Sequence, residues 1–222
     1  LDFTTSARPD EIEALLRKLT RNVWDVGKAF GTIGASVERS DGPDWLIEIT
    51  TYRADTYRDD SRKPAITFGD TLEGDLVRRD FTVNAMAITM GSRKFVDPYR
   101  GLADLAAGVL RTPSKPETSF SDDPLRMMRA ARFTAQLSTP ERRFAPAPEA
   151  VAAMVNMVDR IDIISAERVR DELSKLLLTD APRPGLNLLV QTGLAERVLP
   201  EVPAMRLERD EHHRHKDVYE HS

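Results

Sequence analysis

Ile12, Leu15, Leu16 and Leu19 recur at three- and four-residue intervals, which predicts a helix over 10–19 with all four on one face. Ahead of it, residues 1–5 are β-prone, and Ser6-Ala7-Arg8-Pro9 supplies a cap and an early-turn proline. Gly27, Gly31 and Gly34 punctuate a strand and turn. From Trp45 to Arg53 the pattern alternates, with Ile47, Ile49 and Thr51 facing one way and Leu46, Glu48, Thr50 and Tyr52 the other. That period of two predicts a strand. Residues 54–70 are charged and proline-containing without a period and read as a mobile loop. Residues 73–90 read as a helix and 95–98 as a short extended stretch. Beyond about residue 117 the pattern is helical throughout, over 121–137, 148–158, 165–178 and 183–192. Pro182, Pro184, Gly185, Gly193 and Pro200 mark the joints. Strands confined to the first half predict an α/β or α+β head followed by an all-helical extension.

The 222 residues suit one or two domains and suffice for a core without disulfides. The chain has no apolar run of 18 residues and no signal-peptide pattern at its start. It contains no cysteine, which excludes a disulfide scaffold, a thiolate zinc site and cysteine catalysis, and fits a cytoplasmic chain. The formal net charge of −4 argues against a globally basic nucleic-acid coat, so contact with nucleic acid has to come from local arginine clusters. Leu1 to Thr4 read as a strand already under way and His215 to Ser222 as the start of a helix with nothing after it, so the chain is expected to be part of a longer protein.

Four constellations carry chemistry. In Arg78-Arg79-Asp80-Phe81-Thr82-Val83-Asn84-Ala85, two adjacent arginines, a carboxylate and a carboxamide suit phosphate and sugar hydroxyls. A solvated, capped helix turn explains the same composition. In Asp122-Asp123-Pro124-Leu125-Arg126-Met127-Met128-Arg129-Ala130-Ala131-Arg132-Phe133, Ser121 is the expected cap and the aspartates belong to a positive first turn. At ~100° per residue, Arg126, Arg129 and Arg132 share an arc of ~120°. Such a row calls for an anionic partner, a triphosphate or RNA backbone. The plainer alternative is pairing of Asp122 or Asp123 with Arg126 within the helix. Asp2 and Glu48 are strand carboxylates of the kind most often left in solvent. His213, Asp217 and His221 fall four apart in the tail, compatible with a metal site or an exposed polar end.

Asp123 and Arg126 permit a sharper reading. Three apart on a helix, they can converge on one planar object, the carboxylate accepting from an amino group and the guanidinium donating to a ring nitrogen. Cytosine and adenine present that edge, whereas uracil and guanine put a carbonyl where the amino group would be. A buried mismatch there costs about 1–3 kcal/mol.

The order of Arg78–Ala85, then Asp97-Pro98-Tyr99-Arg100-Gly101-Leu102-Ala103-Asp104-Leu105, then the 122–133 block resembles the class II tRNA nucleotidyltransferase and bacterial poly(A) polymerase family. Asp2 to Pro9 resembles the stretch after that family's catalytic Asp-x-Asp. Residues 166–173 resemble its neck motif, and 211–222 the entry into an HD-type domain of actinobacterial and other members. The resemblance implies a polymerase-β-like head over 1–116, a helical nucleotide- and RNA-binding neck over 117–180, and the start of a helical body and HD-type domain over 181–222.

The implied activity is template-independent addition of CCA to the tRNA 3′ end from CTP and ATP, with release of pyrophosphate and with Mg²⁺ as cofactor. Asp2 then matches the second metal-binding, catalytic carboxylate. Arg79 matches a nucleotide contact, with Arg78, Asp80 and Asn84 around it. Asp123 and Arg126 match the base-reading pair, and Arg129 and Arg132 match further nucleotide-site arginines. The segment with Arg53, Tyr57, Asp60, Arg62 and Pro64 resembles the loop linked to switching from C to A addition, and Glu167 and Glu172 are expected to brace the neck. The family usually has Glu where this chain has Asp122. The first metal carboxylate and the glycine-rich phosphate loop are expected upstream of Leu1, and the piece without them is expected to be inactive alone. A poly(A) polymerase, a non-catalytic RNA-binding fragment and, from the tail alone, an HD-type phosphohydrolase are the other readings.

Overall fold

The computed structural model describes residues 1–53 and 67–205, and the chain divides into two compact units, Leu1–Arg79 and Asp80 onward. The first unit is built on strands β1 (Asp2–Thr5), β2 (Val23–Trp24), β3 (Thr32–Val37) and β4 (Trp45–Thr51), with helices α1 (Pro9–Leu19) and α2 (Leu72–Val77). The sheet runs β1-β4-β3-β2, with β1 parallel to β4 and the other pairs antiparallel. Period-two alternation gives it two different faces. Phe3, Ile49 and Ile33 are register partners on one face, where Ile33 and Ala35 form a core with Ile12 and Leu16 of α1. On the other face, Asp2, Glu48, Gly34 and Trp24 form one row across all four strands. Gly34 is required in that row, because a Cβ there would sit 2.1 Å from the Trp24 ring.

The second unit begins with a 3₁₀ turn at Thr82–Asn84 and a hairpin of β5 (Ala87–Ile88) and β6 (Phe95–Val96). Helix α3 (Gly101–Ala107) follows, its first amides capped by Asp97, which accepts from Gly101 N–H at 2.6 Å and Leu102 N–H at 3.0 Å. Strand β7 (Val109–Leu110), helices α4 (Pro116–Asp122) and α5 (Leu125–Gln136), and strand β8 (Ala145–Pro146) come next, β8 pairing in parallel with β7. Helices α6 (Pro148–Asn156), α7 (Ala166–Leu177), α8 (Arg183–Thr192), α9 (Ala195–Val198) and α10 (Glu201–Ala204) complete it. Helix α5 is the hub and packs against α7 and α8. Met127, Met128, Ala130 and Ala131 are buried there with Phe81, Phe120, Leu176 and Leu189. An α/β head followed by helices is the architecture expected from the pattern.

Several local expectations fail for identifiable reasons. The helix expected over 73–90 ends at Arg78, and strand β5 begins at Ala87. The Asp80 carboxylate accepts the Phe81 N–H at 2.8 Å, which offers the backbone a partner other than the helix ladder. The helix expected over 121–137 is two helices. Asp123 is extended at φ −144° and ψ 98°, as a residue before proline is driven to be. Ser121 therefore lies in α4 instead of capping α5, and neither aspartate belongs to the first turn of α5. The cap of α1 falls at Arg8, within the expected Ser6–Pro9 stretch, but of the four residues on its apolar face only Ile12 and Leu16 are buried, with Leu15 and Leu19 exposed. Of the loop expected over 54–70, residues 54–66 lie outside the described residues, as does the tail from 206 with its His213, Asp217 and His221 pattern; Arg53 bridges to Phe68.

Gly185 permits the contact between α8 and α5, since a Cβ there would lie 2.4 Å from the Ala131 carbonyl oxygen and 2.4 Å from Leu176 Cδ1. Both neighbours belong to helices fixed in the core, so Gly185→Ala is expected to destabilise the chain by about 1–3 kcal/mol in urea unfolding. Unchanged stability would mean that α8 shifts freely.

Candidate active site

In the first unit the charged residues gather around Asp75, which the sequence reading did not single out. Thr71 caps α2 through the Gly74 N–H, and this places Asp75 in the helix with 1% of its surface exposed. Its carboxylate accepts from Thr4 Oγ1 at 3.3 Å, from the Arg53 backbone N–H at 3.3 Å and from Arg79 Nη2 at 2.9 Å; Arg78 Nη1 lies 3.8 Å away. One buried anion thus fixes β1, the segment after β4 and both arginines. The signal was present in the i, i+3, i+4 spacing of Asp75, Arg78 and Arg79. Arg79 Nε is buried without a hydrogen-bond partner. On β1, Asp2 is exposed and stands in register with the exposed Glu48. Among the described residues no group of three or more His, Cys, Asp or Glu side chains could hold a metal ion.

In the second unit, Asp80 and Glu172 are the anchors. Asp80 is 8% exposed. Its Oδ2 accepts from Arg129 Nε at 2.8 Å and Nη2 at 2.5 Å, and its Oδ1 accepts from Asn84 Nδ2 at 3.0 Å. Burial acts to raise the Asp80 carboxyl pKa, but the Arg129 charge and the hydrogen bonds from Asn84, Arg129 and Phe81 together hold it below the usual value. Glu172, 4% exposed on α7, accepts from Arg132 Nε at 2.6 Å and lies 3.6 Å from Arg129 Nη1 and 3.4 Å from Lys175 Nζ. Arg132 also donates to Gln136 Oε1 at 2.6 Å, and its guanidinium lies 4.1 Å from the Phe133 ring centroid. The anionic partners that the arginine row calls for are, at Arg129 and Arg132, the protein's own carboxylates. Glu172 is ion-paired as expected of it, with Arg132 and Arg129; Glu167 is exposed in the first turn of α7.

Asp123 and Arg126 are brought together by a turn and not by a shared helix. The Arg126 N–H donates to the Asp123 carbonyl at 3.0 Å, closing a turn with Pro124 at its second position. The Asp123 carboxylate accepts the Leu125 N–H at 3.2 Å and Arg168 Nη2 at 3.0 Å. Arg126, 8% exposed, donates from Nη1 to Ser119 Oγ at 2.8 Å. Arg168 on α7 and the buried Ser119 on α4 are partners to which the sequence reading gave no role.

Asp80→Asn keeps the shape of the side chain but removes the charge opposite Arg129. The expected loss at pH 7 is about 2–3 kcal/mol, less than for a fully enclosed pair because Arg129 is one-third exposed. A lowered folded-state pKa gives stability that is present above the ordinary carboxyl range and lost as pH falls through the folded value. The difference between the parent and Asp80→Asn in urea unfolding is therefore expected to be constant near neutrality and to shrink below about pH 4. A gap that persists at low pH would refute the charge pairing.

Comparison with known proteins adds the lineage. Residues 1–111 match the poly A polymerase head domain, and residues 143–205 match the probable RNA and SrmB-binding site of polymerase A. The CCA-adding enzyme of Bacillus subtilis is 39% identical over 199 residues, covering 89% of this chain and 46% of that protein. That of Levilactobacillus brevis is 40% identical over 195 residues, covering 87% and 45%. The chain thus spans about half the length of the curated relatives it matches. Among solved structures, the Bacillus stearothermophilus CCA-adding enzyme in complex with CTP superposes with a TM-score of 0.73 at 34% identity, over 87% of this chain and 43% of that one. The Thermotoga maritima CCA-adding enzyme complexed with tRNA superposes with a TM-score of 0.66 at 25% identity, over 90% and 43%. With the head-domain match covering half of its residues, the chain belongs to the poly(A) polymerase head-domain family, within the class II CCA-adding enzymes and poly(A) polymerases.

Proposed function

We propose that the chain is the nucleotide-selecting part of a template-independent RNA nucleotidyltransferase that adds CCA to the tRNA 3′ end from CTP and ATP. The observation that carries this is the Asp123–Arg126 turn, which joins the backbones of a carboxylate residue and an arginine just before α5. If both side chains turn to a bound base, an acceptor and a donor from this turn complement the amino and ring-nitrogen edge that cytosine and adenine share. CTP in one solved relative and ATP in another support the same two substrates here. So does tRNA in a third.

In this reading Arg79 contacts the nucleotide, with Asp75 holding its Nη2 and the rest of a partly exposed side chain able to meet the ligand. Arg78 stands beside it. Asp80 and Asn84 act through Arg129, which is partly exposed and so able to meet a phosphate; Arg132, enclosed by Glu172 and Gln136, contributes charge from behind. Asp2 is the metal-binding, catalytic carboxylate. The residues present fit Mg²⁺, which takes hard oxygen donors and is commonly held by one or two carboxylates together with substrate phosphates. Asp2, with Glu48 as its register partner, offers that donor chemistry on the polar face of the sheet. When bound there, Mg²⁺ would supply charge neutralisation for the phosphates and acidify the attacking hydroxyl.

We keep the division into head (1–116), neck (117–180) and body (181–222) as a functional one. A cytoplasmic setting is supported by the absence of cysteine, and among the described residues no helix is long and apolar enough to cross a membrane. An actinobacterial kinship would rest on the tail from 211, outside the described residues; the relatives named above come from other bacteria.

Polyadenylation by the same chemistry is the second reading, favoured by the head-domain match. The two separate when the full-length protein is given tRNA lacking its CCA end. With ATP alone we expect no more than slow single additions, and with CTP and ATP together a product longer by three nucleotides on a gel. Long A tracts in ATP alone would overturn the CCA reading.

A further inference from the structure

We propose that Arg168 is a positioning residue for base choice, one that makes the Asp123 carboxylate selective by preventing it from turning. The inference rests on the base-reading role given to Asp123 above. Arg168 lies in the first turn of α7, where Ser165 Oγ accepts its backbone N–H at 3.5 Å. From there its Nη2 reaches Asp123 Oδ2 at 3.0 Å across 45 residues of chain, while Leu125 N–H occupies Oδ1 at 3.2 Å. With one donor on each oxygen, the plane of the carboxylate is set from two sides. Each oxygen keeps a further lone pair, so the group can still accept from a ligand.

Rigidity matters because the two kinds of base test the carboxylate differently. An amino group facing Asp123 makes a hydrogen bond whether the carboxylate is fixed or free to adjust. A carbonyl facing it sets two acceptors against each other, and a mobile carboxylate escapes that cost by rotating toward solvent. Asp123 is 27% exposed on its side chain, so solvent is within reach. Held by Arg168 and the Leu125 N–H, the carboxylate has to give up both bonds to leave, so the mismatch keeps more of its cost. The residue therefore acts on rejection of uracil and guanine more than on acceptance of cytosine and adenine. Its own side chain is 52% exposed, and an ion pair so exposed contributes little to stability. Arg126, the other half of the edge, is held in the same manner by Ser119 Oγ.

The test uses the full-length protein with tRNA lacking its CCA end and compares kcat/KM for CTP with that for UTP. Arg168→Ala is expected to lower the CTP/UTP ratio about two- to five-fold, mainly through faster use of UTP, with an unchanged melting temperature. Arg168→Lys, which keeps the charge without the planar fork, is expected to recover part of the ratio. Asp123→Ala is measured alongside. If Asp123→Ala lowers the ratio and Arg168→Ala leaves it intact, or slows all nucleotides equally, the positioning role is overturned and base reading by Asp123 stands. If Asp123→Ala itself leaves the ratio intact, the base-reading assignment falls and this proposal with it.

Discussion

The buried pairing of arginines on α5 with carboxylates from outside that helix is the constraint on which the second unit depends. An arginine cannot shed its charge, so enclosing one demands an anion with good geometry. Arg132 meets Glu172 from α7, and Arg129 meets Asp80 from the segment before the 3₁₀ turn, with Glu172 shared between them. The apolar side of the same helix packs against α8 and the Phe81 region. Hydrophobic burial brings these elements together without choosing a rotation about the α5 axis. The fork geometry of two guanidiniums, each matched to one carboxylate, selects that rotation. Whatever chemistry resides on the turn before α5 inherits its orientation from these pairs.

The first unit solves a similar problem with one anion. Asp75 takes donors from β1, from the segment after β4, and from both arginines of the Arg78-Arg79 pair. A carboxylate with 1% exposure is tolerable only because its lone pairs are engaged. The consequence is that Arg79, separated from β1 by more than 70 residues of chain, is held in a fixed relation to the strand that carries Asp2.

How much of this was legible depended on whether the determinant was local. Helices α6, α7 and α8 follow the expected ranges because their apolar spacing and their start signals, prolines in the first turn of α6 and α8 and the Ser165 cap of α7, are local. Strand β4 follows its alternation for the same reason. The break at Asp123 was also local and was misjudged. Proline is compatible with a first helical turn, but the stronger effect of Pro124 is to force Asp123 into the extended region. The helix expected over 73–90 failed because Asp80 takes the Phe81 amide and Arg129 at once, and the second of these lies 49 residues on. The family motifs pointed to Asp123, Arg126 and Arg79. They did not point to Asp75 or Ser119, and they gave Arg168 no role although it lies in the 166–173 stretch; the importance of all three lies in what they touch across the fold.

That distinction bears on how a protein side chain can read a base without a template. A carboxylate and a guanidinium on flexible stems would accommodate most hydrogen-bonding edges, since each could rotate to meet what is offered. Discrimination requires that the wrong edge meet a group unable to move. The turn closed by Arg126 N–H fixes the backbone of the pair, and Arg168 and Ser119 fix the two side chains. Within this proposal, chemical complementarity resides in Asp123 and Arg126, while the energy that rejects a mismatch resides in the residues that keep them still. On the proposed reading, specificity is therefore a property of the packing of α4, α5 and α7 as much as of the two residues that face the base.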